Sequence, residues 1–492
     1  MINSPDPTNL TDIRNLDLVA TVRSGRVLVA GAGVSGRGAI AMLKDMGCPE
    51  VVVVDDSALG ALVAADFSVR HVTTADARDE LADAVAIVTS PGWRPTSPLF
   101  DAAAEAGVPV FGDVALAFAG DCAQLWGPKR TWLVVTGTNG KTTTTSMLAA
   151  MLGEQGAAVG NIGVALYDAL TAEPRIEVLA AEMSSFQLHW APNIRPDAGV
   201  LLNLAEDHID WHGSYENYGL DKTRALRGAV AIYGADDADV VEHVEKMLKN
   251  DELGNSVVGF TDGPPEAHQV GVRDGMIVDR AFGGGDAADD NSEPGIVIAP
   301  VAGISPPGRA GVLDAVAATA MARSIGTSPE QIAAALETFE VRAHRGQIVH
   351  KTNDVVWIDD SKATNPHAAD AALSGHERVV WIVGGQLKGA EISPLVAKHA
   401  HRLQAAVVLG VDRKLVSDAL SRIAPAVPVV VIDDTDKVDA MAKVCMAASE
   451  HANPGDVVLL APAAASLDMY SGMAERGDLF AQWAQKVTST DG

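Results

Sequence analysis

Short apolar runs recur along this chain, and each stops abruptly at a glycine or a polar side chain before a helix-like stretch begins. Runs of that kind suit strands buried on both faces, and their alternation with helical stretches predicts parallel sheets assembled from βαβ units. RVLVAGAGVSGRGAIAMLKDMG opens the series: a strand over Val27–Ala30, a glycine turn, and a helix with Ile40, Leu43 and Met46 on one face. A second strand over Val51–Val54 ends at Asp55 and Asp56, and AVAIVTSPG and VPVFGD continue the pattern. VVTGTNGKTTTTSMLAA starts a second series containing EVLAAEMSSFQ and AGVLLNLAEDH. A third series follows in VVWIDDSKATN, RVVWIVGGQLKG, AAVVLG, VPVVVID and DVVLLAPAAAS.

The fold class expected is α/β in three domains: an N-terminal Rossmann-like nucleotide-binding sheet over 1–114, a central P-loop-type ATPase domain over 115–340, and a C-terminal Rossmann-like domain over 341–492. A length of 492 residues agrees with that division. Gly283–Gly295, GGGDAADDNSEPG, is acidic and glycine-rich and reads as a mobile loop inside the second domain.

Charge excludes some partners. Sixty-four acidic residues against 37 Lys plus Arg leave a net charge of −27, which repels nucleic acid and anionic membrane surfaces. Three scattered cysteines, Cys48, Cys122 and Cys445, offer neither a disulfide framework nor a zinc knuckle. The N-terminal residues lack the basic start and apolar core of a signal peptide, so a cytoplasmic location without membrane insertion is expected.

Chemistry concentrates in TGTNGKT, Thr136–Thr142. Small residues let successive backbone N–H groups converge on phosphate oxygens at a helix N-terminus, a lysine adds charge, and a hydroxyl can ligate Mg²⁺. Gly137, Thr138, Asn139, Gly140, Lys141, Thr142 and Thr143 form this candidate phosphate loop; Val135 stands where the longer loop signature has its first glycine. The earlier turn, Gly31–Gly36, matches GxGxxG and is followed by Asp55, a pattern that holds a nucleotide diphosphate of any kind. Glu182 and His208 each follow an apolar strand, and if those strands are neighbours both side chains face the phosphate loop. Read alone, Glu182 could instead cap the helix starting at Ser184, His208 could be satisfied by nearby acids, and Lys222 is a solvated helix lysine. His208 and His212 have a four-residue spacing but lack the HExxH of a zinc site.

Taken together, TGTNGKT, GNIG at Gly160–Gly163, EMSSFQL, EDHID and the tyrosine-rich helix bearing Lys222 resemble the Mur ligases, ATP-dependent amide-forming enzymes of peptidoglycan synthesis. DDSKATNP, GGQLKGAE, ASLDMY and ERGDLF resemble the branch of that family that adds D-glutamate. The resemblance implies that Val34, Ser35, Asp55, Asp56, Asn161 and His208 bind UDP-N-acetylmuramoyl-L-alanine. It implies that the phosphate loop with Arg345 and Asp360 binds ATP, and that Thr364, Lys388, Ser466 and Leu467 hold D-glutamate. Lys141, His208 and Lys222 would be catalytic; Thr142, Glu182, His208 and a carbamylated Lys222 would serve two Mg²⁺ ions. A monomer is expected, with these small molecules as its partners. The chain departs from the family pattern at Ala310–Asp314 and at Tyr233, both near the expected adenine contacts, and at Met473, where an aromatic side chain is usual.

Two readings from other classes stay open on sequence alone: an NAD-linked oxidoreductase using the first glycine turn, and a catalytically silent nucleotide-binding regulator. Within the ligases, a sister enzyme adding another amino acid or a folylpolyglutamate synthase is the alternative.

Overall fold

The computed structural model describes residues 16–254, 256–282, 295–341 and 343–489. The acidic stretch expected to form a loop, 283–294, lies outside them. Two compact units are present. One reaches to Ala299 and includes Ala315–Leu336; the other joins Pro300–Asp314 to the chain from Glu337 onward.

The first unit carries two sheets. Strands β1 (Arg26–Ala30), β2 (Glu50–Val54), β3 (Arg70–Val72), β4 (Ala84–Thr89) and β5 (Val110–Gly112) are parallel, in the order β3-β2-β1-β4-β5. The valine-rich β1, β2 and β4 are buried on both faces, as Val52, Val53 and Val54 are, each contributing about 1.5–3 kcal/mol relative to exposure. Strand order reverses between β1 and β4, and the glycine turn after β1 opens into that crevice, where doubly wound sheets bind ligands. The helix Asp113–Cys122 follows β5 directly, so the expected boundary at residue 115 falls inside a helix.

The second sheet begins with β6 (Thr131–Thr136), β7 (Gly156–Gly160), β8 (Val178–Glu182), β9 (Ala198–Leu201) and β10 (Val230–Gly234). It continues with β11 (Ser256–Phe260), β12 (Gln269–Arg273), β13 (Met276–Asp279) and β14 (Ile296–Pro300). The order is β14-β13-β12-β11-β10-β9-β6-β8-β7, parallel from β7 to β12, with β13 antiparallel to β12. The loop-bearing strand β6 thus lies between β8 and β9. These two flank it and are not neighbours of each other, which answers the condition attached to Glu182 and His208. Both strands deliver their carboxyl ends beside the loop.

The second unit is built on β15 (Gln347–Thr352), β16 (Val355–Asp359), β17 (Val379–Gly384), β18 (Leu403–Leu409), β19 (Val429–Val431) and β20 (Val457–Leu460). Their order is β15-β16-β20-β17-β18-β19, with only β15 antiparallel. The last strand inserts between β16 and β17, so the loops after β16, β20 and β17 emerge side by side. No helix among the described residues is long and apolar enough to cross a membrane.

Candidate active site

β6 is apolar and buried up to Thr136, where the chain turns into the helix Lys141–Leu152. Gly140 makes the turn at φ +82°, a conformation a side chain would strain, and leaves the first N–H groups of the helix directed out of the sheet. The loop is braced from β9: the Asn139 N–H donates to Asn203 Oδ1 at 2.8 Å, Asn203 Nδ2 donates to the Asn139 carbonyl at 3.2 Å, and Thr138 Oγ1 lies 2.9 Å from the Tyr218 hydroxyl. Lys141 Nζ folds back onto the carbonyls of Gly137 (2.8 Å) and Thr138 (2.9 Å).

Lys222 reaches the same place from the helix Tyr215–Thr223. It is 1% exposed, its Nζ donates to the Gly137 carbonyl at 2.7 Å, and it stands 4.7 Å from the centre of the Tyr218 ring. The solvated-lysine reading of the sequence is therefore overturned, because the helix packs its lysine face inward against the loop. Burial, followed by the neighbouring Lys141 charge, pushes the Lys222 amine well below its ordinary pKa.

Glu182 ends β8 and is 2% exposed. Its Oε2 accepts from Thr142 Oγ1 at 2.6 Å and its Oε1 from Asn161 Nδ2 at 2.9 Å. It caps no helix: Ser184 caps Ser185–His189 in a reciprocal arrangement with Gln187. One buried carboxylate thus joins the loop hydroxyl to the turn after β7. His208 follows β9 at φ +53°, with its ring 4.7 Å from Phe186 and its Nε2 3.5 Å from Asp207. Burial, and then the charges of His212, Lys222 and Lys141, hold its imidazole below the ordinary pKa against the pull of Asp207. His212 does not join His208. Its Nδ1 lies 2.9 Å from Asp221 Oδ2, an oxygen it shares with His189 Nδ1 at 2.8 Å, and its Nε2 lies 2.9 Å from Ser185 Oγ. With Arg224 on the other Asp221 oxygen at 3.0 Å, this network braces the helix that carries Lys222.

At the first sheet, Asp55 Oδ2 accepts from the Ala32 N–H at 2.8 Å, and its Oδ1 accepts from the Ser57 N–H and hydroxyl. Burial alone would raise its pKa; these bonds outweigh it and keep the carboxylate below its usual value. Asp56 Oδ1 accepts from the Thr74 N–H at 2.7 Å. Val34 is exposed at the helix start, and burial pushes the Asp113 carboxyl up to about 6 against the lowering effect of Ser35. A Cβ on Gly36 would fall 1.9 Å from the Gly31 carbonyl oxygen, so the close approach of helix and turn requires that glycine.

In the second unit, Thr364 lies after β16, Lys388 after β17 at φ +52°, and Ser466 and Leu467 after β20. These loops are adjacent because their strands are. Ser466 is buried, Lys388 is exposed, and Leu467 is 65% exposed, an unusual position for a leucine unless something covers it. Burial and then the Asp359 charge push the Asp360 carboxyl up to about 7, with Arg345 opposing.

Residues 135–269 match the Mur ligase middle domain, and residues 344–464 match the Mur ligase glutamate ligase domain. A protein of Corynebacterium efficiens named UDP-N-acetylmuramoylalanine–D-glutamate ligase is 55% identical over 462 residues, 93% of this chain and 94% of the relative. The chain belongs to the Mur ligase family. A Corynebacterium diphtheriae protein of the same name is 49% identical, covering 95% of this chain and 97% of its own length. Among solved structures, the MurF ligase of Thermotoga maritima in complex with ADP superposes with a TM-score of 0.55 at 16% identity, covering 96% of this chain and 97% of that one. That likeness supports the Mur ligase fold, three domains with Rossmann-like N- and C-terminal sheets and a central ATPase domain.

In this Mur ligase the expected residues fall into three groups, at the β1 turn, at the phosphate loop with Glu182, Asn161, His208 and Lys222, and at the three loops of the last sheet. Sequence reading passed over Asn203, Asp221 and Tyr218 as individuals. Asn203 does carry a signal, since it stands two residues beyond an apolar strand in NLAEDH. Asp221 carries none, as its importance comes from two histidines distant in sequence.

Proposed function

We propose that this Mur ligase adds D-glutamate to UDP-N-acetylmuramoyl-L-alanine at the expense of ATP, through an acyl phosphate. The observation that carries the reading is the phosphate loop held beside a buried carboxylate and two lysine amines that share the Gly137 carbonyl. The D-glutamate assignment rests on the matched glutamate ligase domain and on the names of the relatives. The division at 1–114, 115–340 and 341–492 would then give one domain each to the UDP substrate, ATP and the amino acid.

A carboxylate does not acylate an amine because oxide is a poor leaving group. An oxygen of the L-alanine carboxylate attacks the γ-phosphorus of ATP, the bond from that phosphorus to the β,γ-bridging oxygen breaks, and ADP departs. The D-glutamate amine, in its neutral form, then attacks the acyl carbon. The tetrahedral adduct collapses with cleavage of the carbon–oxygen bond, and orthophosphate leaves carrying one former carboxylate oxygen. The loop N–H groups and Lys141 stabilise the negative charge gathered in the first step. Asn161 and His208 orient the muramoyl-alanine end. Val34, Ser35, Asp55 and Asp56 hold the uridine diphosphate end, while Thr364, Lys388, Ser466 and Leu467 hold D-glutamate.

Mg²⁺ fits the donors present, because the Thr142 hydroxyl and the Glu182 carboxylate are hard oxygen ligands brought to 2.6 Å of each other. They, with His208, would hold it, and it would neutralise phosphoryl charge. A buried amine displaced toward its neutral form is the species that adds to carbon dioxide with loss of one proton; we propose that Lys222 carries the resulting carbamate, an oxygen ligand for a second ion.

Two measurements test the reading. Orthophosphate release in the presence of ATP and UDP-N-acetylmuramoyl-L-alanine is to be measured against a panel of amino acids, with D-glutamate expected to stimulate it. With the alanine carboxylate labelled by heavy oxygen, one label is expected in the orthophosphate; unlabelled phosphate excludes the acyl phosphate.

A further inference from the structure

Arg476 lies on the helix Met473–Ser489 and is 1% exposed, yet among the described residues no carboxylate pairs with it. Its guanidinium directs its donors to oxygen atoms of two loops and of the end of a third strand. Nε donates to Ser361 Oγ at 2.9 Å and Nη2 to the Ser361 carbonyl at 2.8 Å, in the loop after β16. Nη1 donates to the Ala464 carbonyl at 3.2 Å, after β20, and lies 3.5 Å from the Gly384 carbonyl at the end of β17. The Ser361 hydroxyl in turn donates to the Met473 carbonyl at 2.8 Å, closing the arrangement onto the helix that supplies the arginine.

The two loops carry Thr364 and Ser466, and the strand end leads into the loop that carries Lys388. Backbone hydrogen bonds between Gln386 and Ala465 and from the Ala463 N–H to the Ala363 carbonyl join these loops at single points, and a site assembled from several loops needs their relative positions held to a fraction of an ångström. We propose that Arg476 is a positioning residue for D-glutamate, its planar fork tying the loops after β16 and β20 to the end of β17 without touching the substrate. This rests on the D-glutamate reading above. A guanidinium suits the role because it presents donors in fixed directions in one plane, whereas an ammonium is a single point donor. Burial lowers the guanidinium pKa to about 10, so the group stays charged at neutral pH.

The test is Arg476→Lys, which keeps the charge and loses the fork. Losing one or two charge-assisted hydrogen bonds corresponds to about a 10- to 100-fold rise in KM for D-glutamate, with the KM values for ATP and for the UDP substrate within about twofold of wild type. Ser361→Ala, a milder change that removes the hydroxyl accepting from Arg476 Nε and donating to the Met473 carbonyl, is expected to move the same constant in the same direction by about threefold to tenfold. Hydrogen exchange supplies a readout that needs no substrate: the amides after β16, β17 and β20 should lose protection together while the strand amides keep theirs. Equal changes in all three KM values, an unchanged KM for D-glutamate in folded variants, or loss of protection confined to one loop would overturn the proposal. Should wild-type phosphate release ignore D-glutamate, the reaction reading falls and with it the substrate named here, while exchange still decides whether Arg476 ties the loops.

Discussion

Asp121→Ala separates the stability of the scaffold from the chemistry it carries. Asp121 is fully buried in the last turn of Asp113–Cys122, and Arg130, 2% exposed, precedes the strand that runs into the phosphate loop. The carboxylate accepts from Arg130 Nη1 at 2.8 Å, from the Arg130 N–H at 2.9 Å and from the Trp132 indole N–H at 2.9 Å. Removing it leaves a buried guanidinium whose remaining acceptors are the carbonyls of Leu170, Ile176 and Trp126, and strands the indole donor. Breaking one side of a buried pair costs about 3–5 kcal/mol, and the orphaned donors put this case at the upper end. At about 2 °C per kcal/mol for a large domain, the melting transition of the first unit should fall by about 8–10 °C. Replacing both partners by apolar residues, Asp121→Leu with Arg130→Met, removes the stranded charge and should recover about half of that loss; the Leu170 and Ile176 carbonyls that lose their Arg130 donor, and the indole N–H that loses its acceptor, prevent full recovery. Differential scanning calorimetry reads both variants, and at 25 °C the turnover of Asp121→Ala should remain within about threefold of wild type, since only stability is lost. A fall below about 2 °C for the single variant, or a double variant no better than the single, would refute the account of Arg130 as a charge dependent on Asp121.

Lys141→Ala should lower ATP-dependent phosphate release by about 10²–10³-fold with the melting temperature little changed; a wild-type rate would reject the loop assignment. Gly36→Ala places a methyl 1.9 Å from the Gly31 carbonyl and should raise KM for the UDP substrate about tenfold or more while sparing KM for ATP, as measured by initial rates. The hydrogen bond from His344 to Asp359, at 2.6 Å, raises the His344 pKa against the opposing effect of burial. Because the folded value lies above the unfolded one, this contribution is complete below about pH 6.5 and is lost as pH climbs through the folded value. Thermal melts should show that slope in the second unit, and His344→Asn, which tolerates the φ of +66°, should abolish it.

Much of this architecture was written locally. Val51–Val54, Val134–Thr136 and Val379–Gly384 are strands because continuous apolar residues of that length can be satisfied only between two layers of helices. Their polar endings mark the ligand edge for the same reason. TGTNGKT identifies its own loop, since glycines and hydroxyls at that spacing have few other uses, and motifs such as SKATN announce kinship before any coordinate is known. Lys222 shows the opposite case. Its neighbours along the chain read as a solvated helix, and only the packing of that helix against Gly137 buries the amine and shifts its protonation. The same holds for His212, whose partners Ser185, His189 and Asp221 are distributed over two helices, and for Arg476, whose acceptors lie at or beyond the ends of three different strands. Periodicity and turn chemistry act over a few residues, so they are legible in order along the chain. Desolvation, shared hydrogen bonds and the joining of loops depend on which strands become neighbours, and the insertion of β20 between β16 and β17 or of β6 between β8 and β9 is decided only when the whole sheet forms.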